Sequence, residues 1–178
     1  MDPVVLFERA ASDAASMVES VRPEQRDAPT PCTEWDVDTL VSHMVGGTVY
    51  LRAALGMEPD AAHADDGGYR HAVAQCVEAL QAPGALDRRC MSPAGFEWSV
   101  AEATAGTAMD QLVHTWDLAV AIGADRQLDP ELVDAVVVMF LPLMPEIGRE
   151  AGIVGPEVVV ADDASPQDRL LGAMGRHP

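Results

Sequence analysis

Val37, Leu40, Val41, Met44, Val45 and Thr48 fall at positions i, i+3, i+4, i+7, i+8 and i+11 of one continuous stretch. Only an α-helix gathers that series onto one face, and the face is too apolar to be left in water. The chain must therefore supply other helices to cover it. This helix begins near Asp36 and ends near Gly56, a glycine suited to the residue that closes a helix.

The covering helices are legible from periodicity and capping together. Asp2 and Pro3 read as the N-cap and first residue of a helix carrying Leu6, Ala10, Met17 and Val21, with Phe7, Ala14 and Val18 beside them. A third helix runs from Tyr69 to the neighbourhood of Gln81, with Ala72, Val73, Cys76, Val77 and Leu80 on its apolar face. Between Ala85 and Trp98 the helical period lapses, and "MSPAGFEW" reads as a turn between two short segments of a small hairpin. Ser99 and Glu102 form the S-x-x-E capping box of a fourth helix that continues to Gly123. Asp129 and Pro130 cap a fifth, with Val133, Val136, Val137, Phe140 and Leu141 inward, and Pro142 and Pro145 kink or end it. "IVGPEVVVA" reads as extended, and Ser165 and Pro166 open a short last helix bearing Leu170, Leu171 and Met174. The chain is 48% hydrophobic yet only 4% aromatic, so its core is built from Ala, Val, Leu and Met, a palette that favours helices. The expected fold class is all-α: a single domain over residues 1–178, a four-helix bundle with short additional helices and a small hairpin.

Charge narrows the partners. Asp and Glu number 29 against 11 basic residues, a net charge of −18, and every basic residue is Arg. Phosphate backbones and anionic lipid surfaces are bound through cations, so neither nucleic acid nor membrane is expected as a partner. Without lysine there is no Schiff-base or P-loop chemistry. Cys32, Cys76 and Cys90 are widely spaced with no CxxC pair, which suits a reducing cytoplasm better than a disulfide framework. "MDPVVLFERA" has neither the basic start nor the apolar run of a secretion signal, and "AVVVMFLPLMP" is too short to span a bilayer. A cytoplasmic protein, monomer or homodimer, is expected.

The fourth helix carries the sharpest question, in "DQLVHTWDLAVAIG". Asp110, His114 and Asp117 share a stripe within about 60° on the helical wheel, opposite Met109, Leu112, Val113, Trp116 and Val120. The stripe is either a solvated helix face or the lining of a site. Asp and His are poor helix formers at mid-helix, which sets it apart from an ordinary wet face. A carboxylate and an imidazole one turn apart can also share a metal ion, with zinc or another first-row divalent ion as the occupant. A third ligand has to come from another helix, and His43 fits that part better than His63, His71 or His177. The donor set is then His43, Asp110 and His114, three ligands with open positions, the pattern of catalytic rather than structural zinc. Asp117 either orients an imidazole from behind, or accepts a proton, or is a surface carboxylate. Gly46 and Gly47 after His43 mark either close helix packing or room for a ligand. Trp35 reads as a hydrophobic staple before its helix, Trp116 as core, and Cys32 as a loop thiol with no basic neighbour in sequence.

Three segments, "TPCTEWDVDTLVSHMVGG", "LVHTWDLAVAIG" and "DASPQDRLLGAMGR", together resemble the actinobacterial DinB-like metal-binding proteins. These are related to the N-terminal domain of mycothiol-dependent maleylpyruvate isomerase. The resemblance implies a DinB/YfiT-like four-helix bundle and a divalent metal, zinc, nickel or another first-row ion, at His43, Asp110 and His114. Where the isomerase has Glu, this chain has Asp110, one methylene shorter and still an oxygen ligand. The resemblance also implies mycothiol as cosubstrate with a small electrophile, in an S-transferase or isomerase type of reaction. A bundle that binds a metal or small molecule without turnover, as sensor or carrier, is the alternative.

Overall fold

The computed structural model describes residues 1–58, 66–142 and 144–178, with backbone alone at 144 and 145. His63 lies outside the described residues. Four long helices come first: α1 (Pro3–Glu19), α2 (Val37–Ala54), α3 (Tyr69–Leu80) and, after a hairpin, α4 (Val100–Ile122). The hairpin pairs β1 (Arg89–Met91) with β2 (Glu97–Ser99) antiparallel, Cys90 opposite Trp98. Three shorter helices follow: α5 (Pro130–Phe140), α6 (Met144–Glu150) and α7 (Pro166–Ala173).

Local chemistry sets most of these boundaries. The Asp2 carboxylate accepts from the Val4 and Val5 amides at the start of α1, and the Asp36 carboxylate accepts from Thr39 at the start of α2. Ser99 and Glu102 form a reciprocal capping box on α4, satisfying amides that would otherwise be orphaned. That helix closes on Gly123 at φ 71°, a left-handed conformation that costs a side-chain-bearing residue about 1–2 kcal/mol.

The chain divides into two compact units, Met1–Ser92 with Glu97–Gln127, and Pro93–Phe96 with Leu128–Pro178. In the first, the helices form a ring in which α1 packs on α4 and α3, and α2 packs on the same two. This is the four-helix bundle the periodicity calls for. Leu6, Phe7, Leu40, Met44, Leu51, Leu80, Leu112 and Leu118 are fully buried in it. Each such side chain contributes about 1.5–3 kcal/mol on leaving water.

The second unit pairs α5 with α7. The inward face of α5 departs from the sequence reading. Leu132 is buried on α5 beside Val133, Val136 and Phe140, while Val137 and Leu141 are only half-buried. As the prolines lead one to expect, the helix stops at Phe140, ahead of Pro142, and the chain forms the short additional α6. Residues 153–161 form no ladder; the Val158 N–H instead donates to the Gly172 carbonyl at 2.9 Å. A side chain at 172 would meet the Val158 oxygen at 2.6 Å, so the glycine permits this contact.

Both tyrosines of the chain sit in the first unit with protected phenols. Burial pushes Tyr50 up to about 12, helped by Cys90 and opposed by the Trp98 indole N–H, which donates to its oxygen at 2.7 Å. Burial raises Tyr69 further, reinforced by Asp110 and Cys76. A free phenol is half ionised near pH 10. The folded protein is therefore expected to show no tyrosinate absorbance at about pH 10, and to develop it on unfolding in denaturant at the same pH. Since both folded values lie above the unfolded one, this stabilisation is intact below about pH 10 and is lost as pH rises through 12 and beyond. Two normal phenolic titrations in the folded state would contradict the burial.

Candidate metal centre

The α4 helix is buried around most of its circumference, so its polar residues are internal. Thr104, Thr107 and Thr115 satisfy their hydroxyls on carbonyls one turn back, at 2.7, 2.9 and 2.7 Å. The reading of the Asp110 stripe as a solvated face is thereby excluded: the Asp117 side chain is 0% exposed and that of His114 only 9%.

The remaining polar groups on α4 converge with residues from α2 and the loop before it. Asp110 Oδ1 lies 3.3 Å from His43 Nε2 and 3.4 Å from His114 Nε2. On the other edge of the same imidazole, His114 Nδ1 lies 2.9 Å from Asp117 Oδ2. Cys32 Sγ lies 3.5 Å from that same carboxylate oxygen. The sequence-derived trio is thus brought together, and Asp117 stands behind it as a buried carboxylate. His71 instead meets Gln75 on the exposed side of α3.

Trp35 does not act at a distance from this cluster. Its ring lies 4.7 Å from His43 and 5.8 Å from His114, centroid to centroid, over both imidazoles. The loop holding it is fixed by the Thr30 hydroxyl, which donates to the Trp35 carbonyl at 2.9 Å, and by the Trp35 amide, which donates to Cys32 O at 2.8 Å. Neither Trp35 nor Cys32 was assigned to the site from sequence.

A third missed residue sets the spacing of the two ligand-bearing helices. Gln111, next to Asp110, donates through Nε2 to the carbonyl of Met44, next to His43, at 2.9 Å. Tyr69 on α3 donates to the Gln111 side-chain oxygen. Gly47 makes room for this tie, since a Cβ there would meet Gln111 Nε2 at 2.7 Å. Of the two readings of the glycine pair, Gly47 serves close packing, and Gly46 has open space around it.

Electrostatics bind the trio tightly. Burial works against the Asp110 carboxylate, but His114 and then His43 outweigh it and hold the group below the usual carboxylate range. For His114, burial likewise opposes the charge, and Asp110, Asp117 and Cys32 overcome it, raising the imidazole well above its ordinary value. Both shifts favour the charged Asp110–His114 pair over the neutral one.

The spacing also fits a metal. Donors bonded to one ion at about 2.0–2.1 Å and tetrahedral angles stand about 3.3–3.4 Å apart. The two contacts to Asp110, 3.3 and 3.4 Å, match that separation and exceed the usual hydrogen-bond length of about 2.7–3.2 Å. Donor atoms of His43, Asp110 and His114 all lie within 4.8 Å of one another. The side chains of His43 and Asp110 are 40% and 34% exposed, so the trio opens to solvent on their side.

Comparison with known proteins follows the same lines. Residues 7–69 match the family described as mycothiol maleylpyruvate isomerase N-terminal domain. That stretch holds Cys32, Trp35 and His43 and stops short of α4. Over its whole length the chain is similar to uncharacterised proteins from two strains of Mycobacterium tuberculosis, each 32% identical over 182 residues, covering 99% of this chain and 98% of the relative. No solved structure matches it. No described helix is long and apolar enough to cross a membrane.

Proposed function

The chain belongs to the DinB-like family of the mycothiol maleylpyruvate isomerase N-terminal domain, and from that premise we propose that it is a zinc-dependent, thiol-using cytoplasmic enzyme. Its ligands are His43, Asp110 and His114, its cosubstrate is mycothiol, and its reaction is S-transfer to, or isomerisation of, a small electrophile. The observation that supports this most is the pair of 3.3 and 3.4 Å separations about Asp110, spaced as ligands of one ion.

Each residue has a part in that reading. Asp117 accepts the proton on His114 Nδ1 and leaves the Nε2 lone pair directed at Asp110 and His43. Trp35 covers the two imidazoles and limits water on that side. The exposed flank of His43 and Asp110 admits the thiol. A divalent ion at this position supplies a Lewis acid that favours the deprotonated sulfur. In an addition the new carbon–sulfur bond replaces the π bond and the thiol proton ends on the neighbouring carbon. In a transfer the carbon–leaving-group bond breaks and the leaving group takes the proton. In an isomerisation the sulfur adds, the resulting single bond rotates, and the sulfur leaves with its proton restored.

The test is metal analysis of the loaded wild type beside His43→Ala, followed by assay of electrophile consumption with and without thiol. One ion per chain in the wild type, a marked loss in His43→Ala and strict thiol dependence are expected. A wild type that takes up no stoichiometric divalent ion sinks the proposal. Metal uptake without thiol-dependent turnover would instead favour a binding bundle, a sensor or carrier.

A further inference from the structure

His114 has two ring nitrogens, and the fold surrounds both with donors. On the Nε2 edge are Asp110 and His43, the set already described. On the Nδ1 edge are Asp117 Oδ2 and Cys32 Sγ, and the donor atoms of Cys32, His114 and Asp117 also lie within 4.8 Å of one another. The first set contains only nitrogen and oxygen. The second contains a thiol, a ligand that selects softer ions.

The geometry suits an ion on this second edge as well. With a sulfur ligand at about 2.3 Å and an oxygen ligand at about 2.0 Å, tetrahedral coordination separates the two by about 3.5 Å. That is the distance from Cys32 Sγ to Asp117 Oδ2. The 2.9 Å between His114 Nδ1 and Asp117 Oδ2 has to widen by a few tenths of an ångström. Cys32 is half-buried and carried on the loop before α2.

We propose that Cys32, His114 Nδ1 and Asp117 form a second metal site, selective for thiophilic cations, whose occupancy excludes the His43–Asp110–His114 site. The exclusion follows from the chemistry of one imidazole. A neutral ring has a single lone pair and one N–H. When Nε2 ligates, the proton resides on Nδ1 and Asp117 accepts it. When Nδ1 ligates, the proton resides on Nε2 and Asp110, 3.4 Å away, is placed to accept it. Each carboxylate is a ligand in one state and the proton acceptor in the other. As the soft ion binds to the metal-free protein, the Cys32 S–H and the His114 Nδ1–H each give a proton to solvent, and metal–sulfur and metal–nitrogen bonds take their place with no change of oxidation state. The second site stands on its own three residues; only the exclusion rests on the function proposed above.

Cobalt(II) and cadmium(II) separate the two sites in the full-length protein. Cobalt loaded first reports the nitrogen–oxygen set through its visible d–d bands. Cadmium added next is expected to raise an ultraviolet sulfur-to-metal charge-transfer band, saturating at one equivalent, and to bleach the cobalt spectrum in step. Cys32→Ser should lose that band and bind cadmium at least tenfold more weakly while still taking up cobalt. His43→Ala should lose cobalt and keep the cadmium band. A cadmium shift in the NMR spectrum of the wild type, which needs no substitution, should indicate one sulfur ligand. A band that survives in Cys32→Ser, or a shift without sulfur, overturns the second site. Cadmium that binds without displacing cobalt overturns the exclusion. A wild type that takes up no cobalt overturns the proposed function instead, and the cadmium band still decides the second site.

Discussion

His114→Ala is expected to abolish stoichiometric divalent-ion binding, with the dissociation constant raised by more than about 100-fold. Removing a group that merely supports a ligand costs about 10–100-fold in metal affinity, and His114 is itself a proposed ligand. It is also the buried member of the trio, with its side chain 9% exposed, so water cannot readily take its place. His43, at 40% exposure, is replaceable by water, and its alanine variant should retain more residual affinity. Isothermal calorimetry on metal-free protein, with metal analysis of the dialysed complex, reads both. If His114→Ala binds an ion within tenfold of wild type, the ion is not held at this cluster.

Asp117→Ala is expected to cost about 3 kcal/mol of folding stability, because it takes the carboxylate acceptor from the buried Nδ1–H of a charged imidazole. The carboxylate is fully buried, accepts from His114 Nδ1 at 2.9 Å, and has the Cys32 thiol 3.5 Å away. Alanine leaves that N–H with only the weak sulfur acceptor of Cys32, in a place nearly closed to water. Asp117→Asn keeps the volume and one acceptor oxygen, and should lose less. A lowered urea midpoint with an unchanged denaturant slope would report this as stability and not as a change in compactness. A loss below about 1 kcal/mol for the alanine variant would mean that Asp117 does not hold a buried His114 N–H.

The bundle was legible because its information is local. Asp2–Pro3, Ser99–Glu102, Gly123 and Ser165–Pro166 mark helix ends through contacts within a few residues, and the apolar faces of α2 and α3 have the required period. The helix α4 is different in kind. Periodicity assumes one wet face, and this helix has none along most of its length, so a polar stripe could not be told from a buried one by its spacing. The usable signal was residue type: Asp and His at mid-helix, where a solvated face favours Glu, Lys, Arg or Gln. Cys32 meets Asp117 across 85 residues, and nothing in the loop around it announces that contact. In sequence Trp35 reads as a local staple, although its ring lies against His43 and His114. On α5, Val137 and Leu141 fit an inward face as well as Leu132 does, and packing within its unit chose Leu132.

The Gln111 tie to the Met44 carbonyl bears on how the protein behaves when an ion leaves. Asp110 and His43 each adjoin one end of that hydrogen bond, so the bundle brings them into register without help from a metal. In small zinc domains the ligands are scattered until the ion arrives, and chelation unfolds them. An ion at the proposed site is, on this geometry, a passenger on a prebuilt frame. A chelator should empty the centre and leave the helical circular dichroism unchanged, and reloading should require no refolding. The ion's contribution to thermal stability should then follow mass action alone, about 2.7 kcal/mol at a hundredfold excess over the dissociation constant.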